Sequence, residues 1–175
     1  MIEESWLNNG IKVKTIWKPL ESLEDISPIW QVYGVCFTKD KNVMVIRNPL
    51  EGGTFTPWNL PGGTPEFNER PEQTLIREIQ EEADISISNI KLLGAFEVFF
   101  PNNPNKKKGD HYYQLRYFAL IDQIEKQTVD PHDNKMVERK LIPANEFNEY
   151  IKWGDVGKEL VRVANLEFES NIPIA

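Results

Sequence analysis

Cysteine is nearly absent. A single one, Cys36, occurs in 175 residues, so an internal disulfide framework is excluded. It stands in the apolar run Val35-Cys36-Phe37 and reads as a small buried side chain rather than a catalytic thiol. Long hydrophobic runs are missing too. No apolar stretch approaches the ~20 residues of a membrane helix, and the segment Met1 to Trp6 has neither the basic start nor the apolar centre of a signal peptide. A cytoplasmic protein with no membrane partner is expected. Positive charge is in deficit, with 20 basic against 27 acidic residues and a net charge of -7. A duplex nucleic acid partner is disfavoured, because such binding depends on cations that neutralise phosphates. A small phosphorylated ligand remains allowed, since its binding depends on the charge of one cleft. There is no internal repeat and no linker rich in Pro, Gly or Ser, so residues 1–175 are expected to form one domain.

What is present alternates between the two common periodicities. Strands are expected at Ile11 to Trp17, Val32 to Thr38, Val43 to Arg47, Lys91 to Phe100 and Tyr112 to Ile121, all rich in β-branched and aromatic residues. The second and third are read as a hairpin around Lys39, Asp40, Lys41 and Asn42. Tyr117 to Ile121 is apolar at consecutive positions, which requires cover on both faces of the sheet. Helices can supply it. Leu75, Ile76, Ile79 and Ala83 recur at helical spacing behind Pro71, which suits a first helical turn. Val156, Leu160, Val161 and Ala164 form a second stripe, and a shorter helix is expected from Ala144 to Ile151. The fold class expected is α/β, an α/β/α sandwich with a mixed β-sheet between helical layers. Pro101 to Asp110, dense in Pro, Asn and Lys, reads as an exposed loop that cannot pack into a core.

The first helix carries an acidic face. Glu78, Glu81 and Glu82 stand at i, i+3 and i+4, so their carboxylates share one side, with Arg77 expected on a neighbouring face. Such repulsion costs roughly 0.2 to 0.5 kcal/mol per pair, and a divalent cation would remove it. Before the helix, Trp58-Asn59-Leu60-Pro61-Gly62-Gly63 ends in two glycines that permit a sharp turn and close backbone approach to a ligand.

Together these residues resemble the signature of the Nudix hydrolase family, of the MutT-like kind. That signature runs Gly, five residues, Glu, seven residues, Arg-Glu, an aliphatic, any residue, Glu-Glu, any residue, Gly, aliphatic. Gly63, Glu69, Arg77, Glu78, Ile79, Glu81, Glu82 and Ile85 match it. Eight such matches arise by chance on the order of once in a million chains of this length. The departure is Asp84, in place of the second glycine. Asp tolerates the left-handed conformation that ends such a helix, so a strained helix end is expected, with Asp84→Gly stabilising by up to ~1 kcal/mol.

The resemblance implies hydrolysis of a diphosphate bond with Mg²⁺ or Mn²⁺ as cofactor. By its pattern Glu78, Glu81 and Glu82 hold the metal with the carbonyl of Gly63, while Glu69 and Arg77 brace loop and helix. The general base is either Glu78 or a later carboxylate, with Asp130, Asp133 and Glu138 as candidates. Phe55, Trp58, Phe99 and Phe100 are weighed as stacking partners for a base, with Trp58 and Phe99 carried as substrate-binding candidates. Lys107, in the run Lys106 to Lys108, is the candidate phosphate contact. The expected partner is a small nucleotide, with a homodimer among the expected oligomeric states. Pro101, sixteen residues past Ile85, ranks ADP-ribose or another nucleoside diphosphate sugar ahead of nucleoside triphosphates. Two other classes are weighed. An isoprenoid diphosphate isomerase would carry a cysteine between Asn59 and Gly63, and none occurs there. A nucleotide sensor would have lost signature carboxylates.

Overall fold

A computed structural model describes residues 2–131 and 134–171. The chain runs β1 (Ile2–Asn8), β2 (Ile11–Pro19), β3 (Ile29–Phe37), β4 (Asn42–Arg47), β5 (Gly62–Gly63), α1 (Pro71–Ala83), β6 (Ile85–Phe99), β7 (His111–Ile124) and β8 (Glu138–Pro143). A 3-10 turn over Ala144–Glu146 then leads into α2 (Phe147–Tyr150) and α3 (Gly154–Asn171). The sheet order is β1-β2-β6-β7-β3-β4-β8, with β5 added against β3. β3 and β7 pair in parallel and the other pairs are antiparallel, so the sheet is mixed.

Each face of that sheet carries its own core. Val35, Phe37, Val43, Phe118 and Tyr112 face one side, packed on Val156, Leu160, Val161, Ala164 and Phe168 of α3. Val32, Cys36, Met44, Tyr117, Ala119 and Ile121 face the other, packed on Leu75, Ile79 and Ala83 of α1. Neighbours in β3, β4 and β7 alternate between the two cores, as a period of two demands. The expected sandwich and the buried Cys36 are therefore seen. Gly34 sets the approach of α1. A Cβ there would stand 2.9 Å from both Cys36 Sγ and Ile79 Cδ1, so a side chain would push helix and strand apart.

Four expectations need correction. Ile76 is exposed rather than core, because helical geometry turns position 76 away from the Leu75–Ile79–Ala83 stripe. β6 begins at Ile85, well before Lys91, since the helix ends abruptly and Ile85-Ser86-Ile87-Ser88 alternates like a strand. The strands β1 and β8 were not foreseen. β1 turns into β2 through Asn9 and Gly10, both at positive φ, the pairing a tight hairpin prefers. The loop from Pro101 to Asp110 is not wholly outside a core: Asn103 is buried, donates from its side chain to Gly109 O at 2.8 Å, and donates its backbone N–H to Asp110 Oδ1 at 3.0 Å.

Candidate active site

The loop before α1 is drawn onto β3 by its two glycines. Gly62 pairs with Tyr33 and Gly63 with Val32. Gly62 has φ +142°, and a Cβ on it would strike the Val32 carbonyl, while a Cβ on Gly63 would strike the Glu78 carboxylate. Only glycine permits this layering of strand, loop and helix side chain. The Gly62 N–H then donates to Glu82 Oε2 at 2.9 Å, which ties the loop to the last turn of the helix.

Glu69 and Arg77 hold the loop's other end. Arg77 Nε and Nη2 each donate to Glu69 at 2.9 Å, and Glu69 also accepts from Glu66 N–H and the Thr74 hydroxyl. These donors, the Arg77 bonds foremost, hold the Glu69 carboxyl down at about 2 despite partial burial. Arg77 does not keep to a neighbouring face. Its Nη1 donates to Glu78 Oε1 at 2.9 Å and to Glu81 Oε2 at 3.2 Å, because a long side chain on the same turn can fold back between them.

Among the described residues two cations, Arg47 and Arg77, nevertheless line the same cleft as five carboxylates, and Arg47 is engaged by Glu138. Glu78, Glu81, Glu82 and Asp130 line a single cleft of about 920 Å³ with Arg77, Gly62 and Gly63. Burial pushes the Glu82 carboxyl up to about 8, and the charges of Glu78, Asp130 and Glu81 add to it against the Gly62 N–H. Glu78 is raised as well, by burial first, in spite of Arg77. Among the described residues no three acidic, His or Cys side chains already converge on one point. The donor set is still that of a hard divalent cation: carboxylate oxygens in excess of local positive charge, beside a backbone turn without side chains.

A second cleft, of about 660 Å³, adjoins the first and shares Tyr33, Pro57, Trp58, Asn59 and Trp153 with it. Its floor is Arg116, fully buried, with its guanidinium 4.6 Å from the Tyr33 ring centre, 4.1 Å from Phe96 and 5.1 Å from Trp153. Arg116 Nη1 donates to Leu115 O and Nη2 to Gln114 Oε1, but Nε has no partner. No carboxylate among the described residues pairs with it, and burial pulls it down to about 9. Gln114 in turn donates to Gln31, a residue of the carboxylate cleft, at 2.7 Å.

The other expected site residues separate. Trp58 lines both clefts, with Arg47 held 4.6 Å from its ring centre and 4.4 Å from that of Phe55. Phe99 lines neither cleft, because it stacks on His111 at 4.7 Å between β6 and β7. Phe100 is core. Lys107 is exposed and outside both clefts, and it is Lys108 that turns inward, over Trp30 and Tyr112. Pro101 lies in an exposed turn outside both. Of the later carboxylates, Asp130 lines the cleft, Glu138 is engaged by Arg47 at 2.8 Å on β8, and Asp133 lies outside the described residues.

Asp84 ends α1 in the left-handed conformation, φ 46° and ψ 49°, as expected. Its side chain is not idle. Asp84 Oδ2 accepts the Thr128 N–H at 2.9 Å and Oδ1 the Thr128 hydroxyl at 2.6 Å. The expected gain from Asp84→Gly is therefore withdrawn, since relief at φ is set against two lost bonds to a nearly buried carboxylate.

Sequence reasoning missed Gly62 as a holder of Glu82, and Tyr33, Arg116 and Trp153 as cleft residues. Only Arg116 left a trace, a lone cation inside the apolar run from Tyr112 to Ile121.

The NUDIX domain model matches residues 29–162. An 8-oxo-dGTP diphosphatase of Proteus vulgaris is 41% identical over 89 residues, which is 51% of this chain and 72% of that protein. A putative mutator protein, MutT4, of Mycobacterium tuberculosis is 28% identical over 135 residues, 75% of this chain, and the match spans 50% of its length. Among solved structures, the Bacillus subtilis pyrophosphohydrolase BsRppH superposes with a TM-score of 0.63 at 19% identity, covering 96% of this chain and 98% of that one. That last likeness is one of fold.

Proposed function

The chain belongs to the NUDIX domain family, and from that premise we propose that it is a metal-dependent pyrophosphohydrolase that cuts an anhydride bond of a nucleoside triphosphate, purine deoxynucleotides and their oxidised forms included. The observation that carries this reading is the adjacency of two unlike clefts across one wall of Tyr33, Pro57, Trp58, Asn59 and Trp153. One side is acidic and suits a metal-bound polyphosphate; the other is aromatic and suits a base. The 8-oxo-dGTP diphosphatase activity named for the Proteus vulgaris relative supports a purine triphosphate. The ranking of ADP-ribose first rested on Pro101, which lies away from both clefts.

Glu78, Glu81 and Glu82, with the carbonyl of Gly63, would hold Mg²⁺ or Mn²⁺, and such an ion neutralises diphosphate charge and lowers the pKa of a bound water. The chain's own residues do the rest. Gly62 fixes Glu82 through its N–H, and Glu69 fixes Arg77, so carboxylates and loop are tied together. Asp130 reaches the cleft from the segment after β7, and it serves to take the proton of the attacking water. Glu78, the other candidate, accepts Arg77 Nη1 on its Oε1 and is assigned here to the metal. In the second cleft Trp58 and Trp153 supply flat faces, and Arg116 makes the floor attractive to the carbonyl and ring-nitrogen acceptors of a purine.

The test is a comparison of kcat/KM for dGTP, 8-oxo-dGTP, ADP-ribose, dinucleoside polyphosphates and nucleotide sugars with Mg²⁺. A triphosphate should lead by more than about tenfold, since this ratio measures relative transition-state binding. ADP-ribose leading by that margin would reverse the assignment.

A further inference from the structure

We infer that Asp84 is a positioning residue: it ties the segment 125–131 to the end of α1 and so sets Asp130 at the wall of the carboxylate cleft. The inference rests on the reading above, in which Asp130 serves the attacking water.

The tether has several strands. Asp84 is 5% exposed, and both of its carboxylate oxygens are spent on Thr128, one on the N–H at 2.9 Å and one on the hydroxyl at 2.6 Å. Its backbone carbonyl accepts the Glu125 N–H at 2.8 Å. Arg139, on β8, closes the same junction from the other side: Nη1 donates to the carbonyls of Ala83 and Asp84, and Nη2 donates to Glu125 O at 2.6 Å. Gln127 donates to Val137 O, so the segment is also pinned where it passes β8. Asp130 follows Thr128 by two residues and lines the cleft, while Glu82 precedes Asp84 by two and lines the same cleft. The acids of the helix and the acid of the later segment are therefore referred to one joint.

The chemistry of that joint depends on the residue type. Glycine, at this place in the signature, would adopt the same left-handed backbone with no strain but could not reach Thr128. Asparagine tolerates the conformation and keeps one acceptor oxygen. A charged acceptor bonded to N–H and O–H together is stronger than a neutral one, so the order of restraint is Asp, Asn, Gly. The departure from the signature thus exchanges an unstrained helix end for a hold on a segment that is otherwise largely exposed.

The experiment compares wild type, Asp84→Asn, Asp84→Gly, Asp130→Asn and the double variant Asp84→Gly/Asp130→Asn. It reads steady-state kinetics on the best triphosphate and hydrogen exchange of the Thr128 amide. Asp84→Gly should lower kcat by about tenfold with KM changed by less than about threefold, and Asp84→Asn should recover part of the loss, as for a group acting only in the transition state. Thr128 should exchange faster in the glycine variant. The double variant should be no slower than Asp130→Asn by more than about twofold, because a residue that acts through Asp130 has nothing left to position. Multiplying effects, or faster Thr128 exchange with kcat unchanged, would overturn the inference. Should Asp84→Gly fail to fold, Thr128→Val removes the hydroxyl bond alone, and a severalfold fall in kcat is expected; an unchanged kcat beside faster exchange overturns the proposal there too. A wild type inactive on every nucleotide defeats the functional reading alone, and the exchange of Thr128 still reports whether Asp84 holds the segment.

Discussion

Glu97 on β6 and Glu82 on α1 are both carboxylates taken largely out of water, and the protein treats them in opposite ways. Glu97 accepts from Lys18 at 2.8 Å, from His111 at 2.9 Å and from the Tyr113 hydroxyl at 2.9 Å. Burial pushes its proton affinity up, yet Lys18, His111 and Tyr113 together hold it lowered. Glu82 has a Gly62 N–H and a ring of like charges, and sits at about 8. The first group is complete in charge. The second is short of positive charge, the condition that a divalent cation would relieve on the reading proposed above.

The contrast breaks most sharply in turnover. Glu82→Gln should lower kcat by at least about 100-fold with Mg²⁺ present, a loss that changes outside a metal's ligands can already approach. Glu97→Gln should stay within about threefold of wild type, as expected of a structural network away from the clefts. Steady-state rates of the two variants decide it, and comparable losses would erase the distinction. Full activity in EDTA would remove the metal from the account altogether.

Arg77→Lys comes next. Lysine cannot reproduce the paired donation to Glu69 or reach Glu78 and Glu81 together, so kcat should fall about tenfold while the fold persists. A lysine variant with wild-type kcat would show that the brace is dispensable.

Stability should separate the two acids in the reverse sense. Without metal, Glu97→Gln loses charge-assisted bonds worth about 1.5 to 3 kcal/mol, and Tm should drop by several degrees, roughly 2 to 4 °C per kcal/mol for a chain this long. Glu82→Gln relieves repulsion and should leave metal-free Tm equal or higher. Thermal melts in EDTA check both signs.

The smallest effect is the pH dependence. The folded carboxyl of Glu82 lies above its unfolded range, so its contribution is whole at acid pH and is lost as pH rises to about 8. Glu97 is lowered, so its contribution is present at neutral pH and is lost only on acidification. Metal-free Tm should therefore decline between about pH 5 and 8, and that slope should shrink with Mg²⁺ or in Glu82→Gln. A slope unchanged in Glu82→Gln would assign it elsewhere.

Local patterns carried much of this molecule in readable form. The stripe of Leu75, Ile79 and Ala83, the hairpin between β3 and β4, and the turn of α1 into the left-handed Asp84 are all short-range consequences of residue type. Asn9-Gly10 was equally local and signalled β1, but the polar residues of that strand hid its period. The bridging of Glu78 and Glu81 by Arg77 was not legible, because spacing fixes where a side chain starts and not where a long flexible one ends.

By itself the sequence determined the acidic helix face, the glycine turn before it and their spacing, because helical periodicity places residues three and four apart on one side whatever surrounds them. Only the tertiary structure decided which distant residues meet those acids. Asp130 arrives from beyond β7, Gly62 is pressed onto β3, and Tyr33 of β3, Arg116 of β7 and Trp153 of the loop before α3 enclose the second cleft. No local rule selects such partners: they are brought together by the pairing of β3 with β7 and by the burial of both sheet faces, and burial first, with like charges beside it, is what raises the Glu82 carboxyl above its ordinary range.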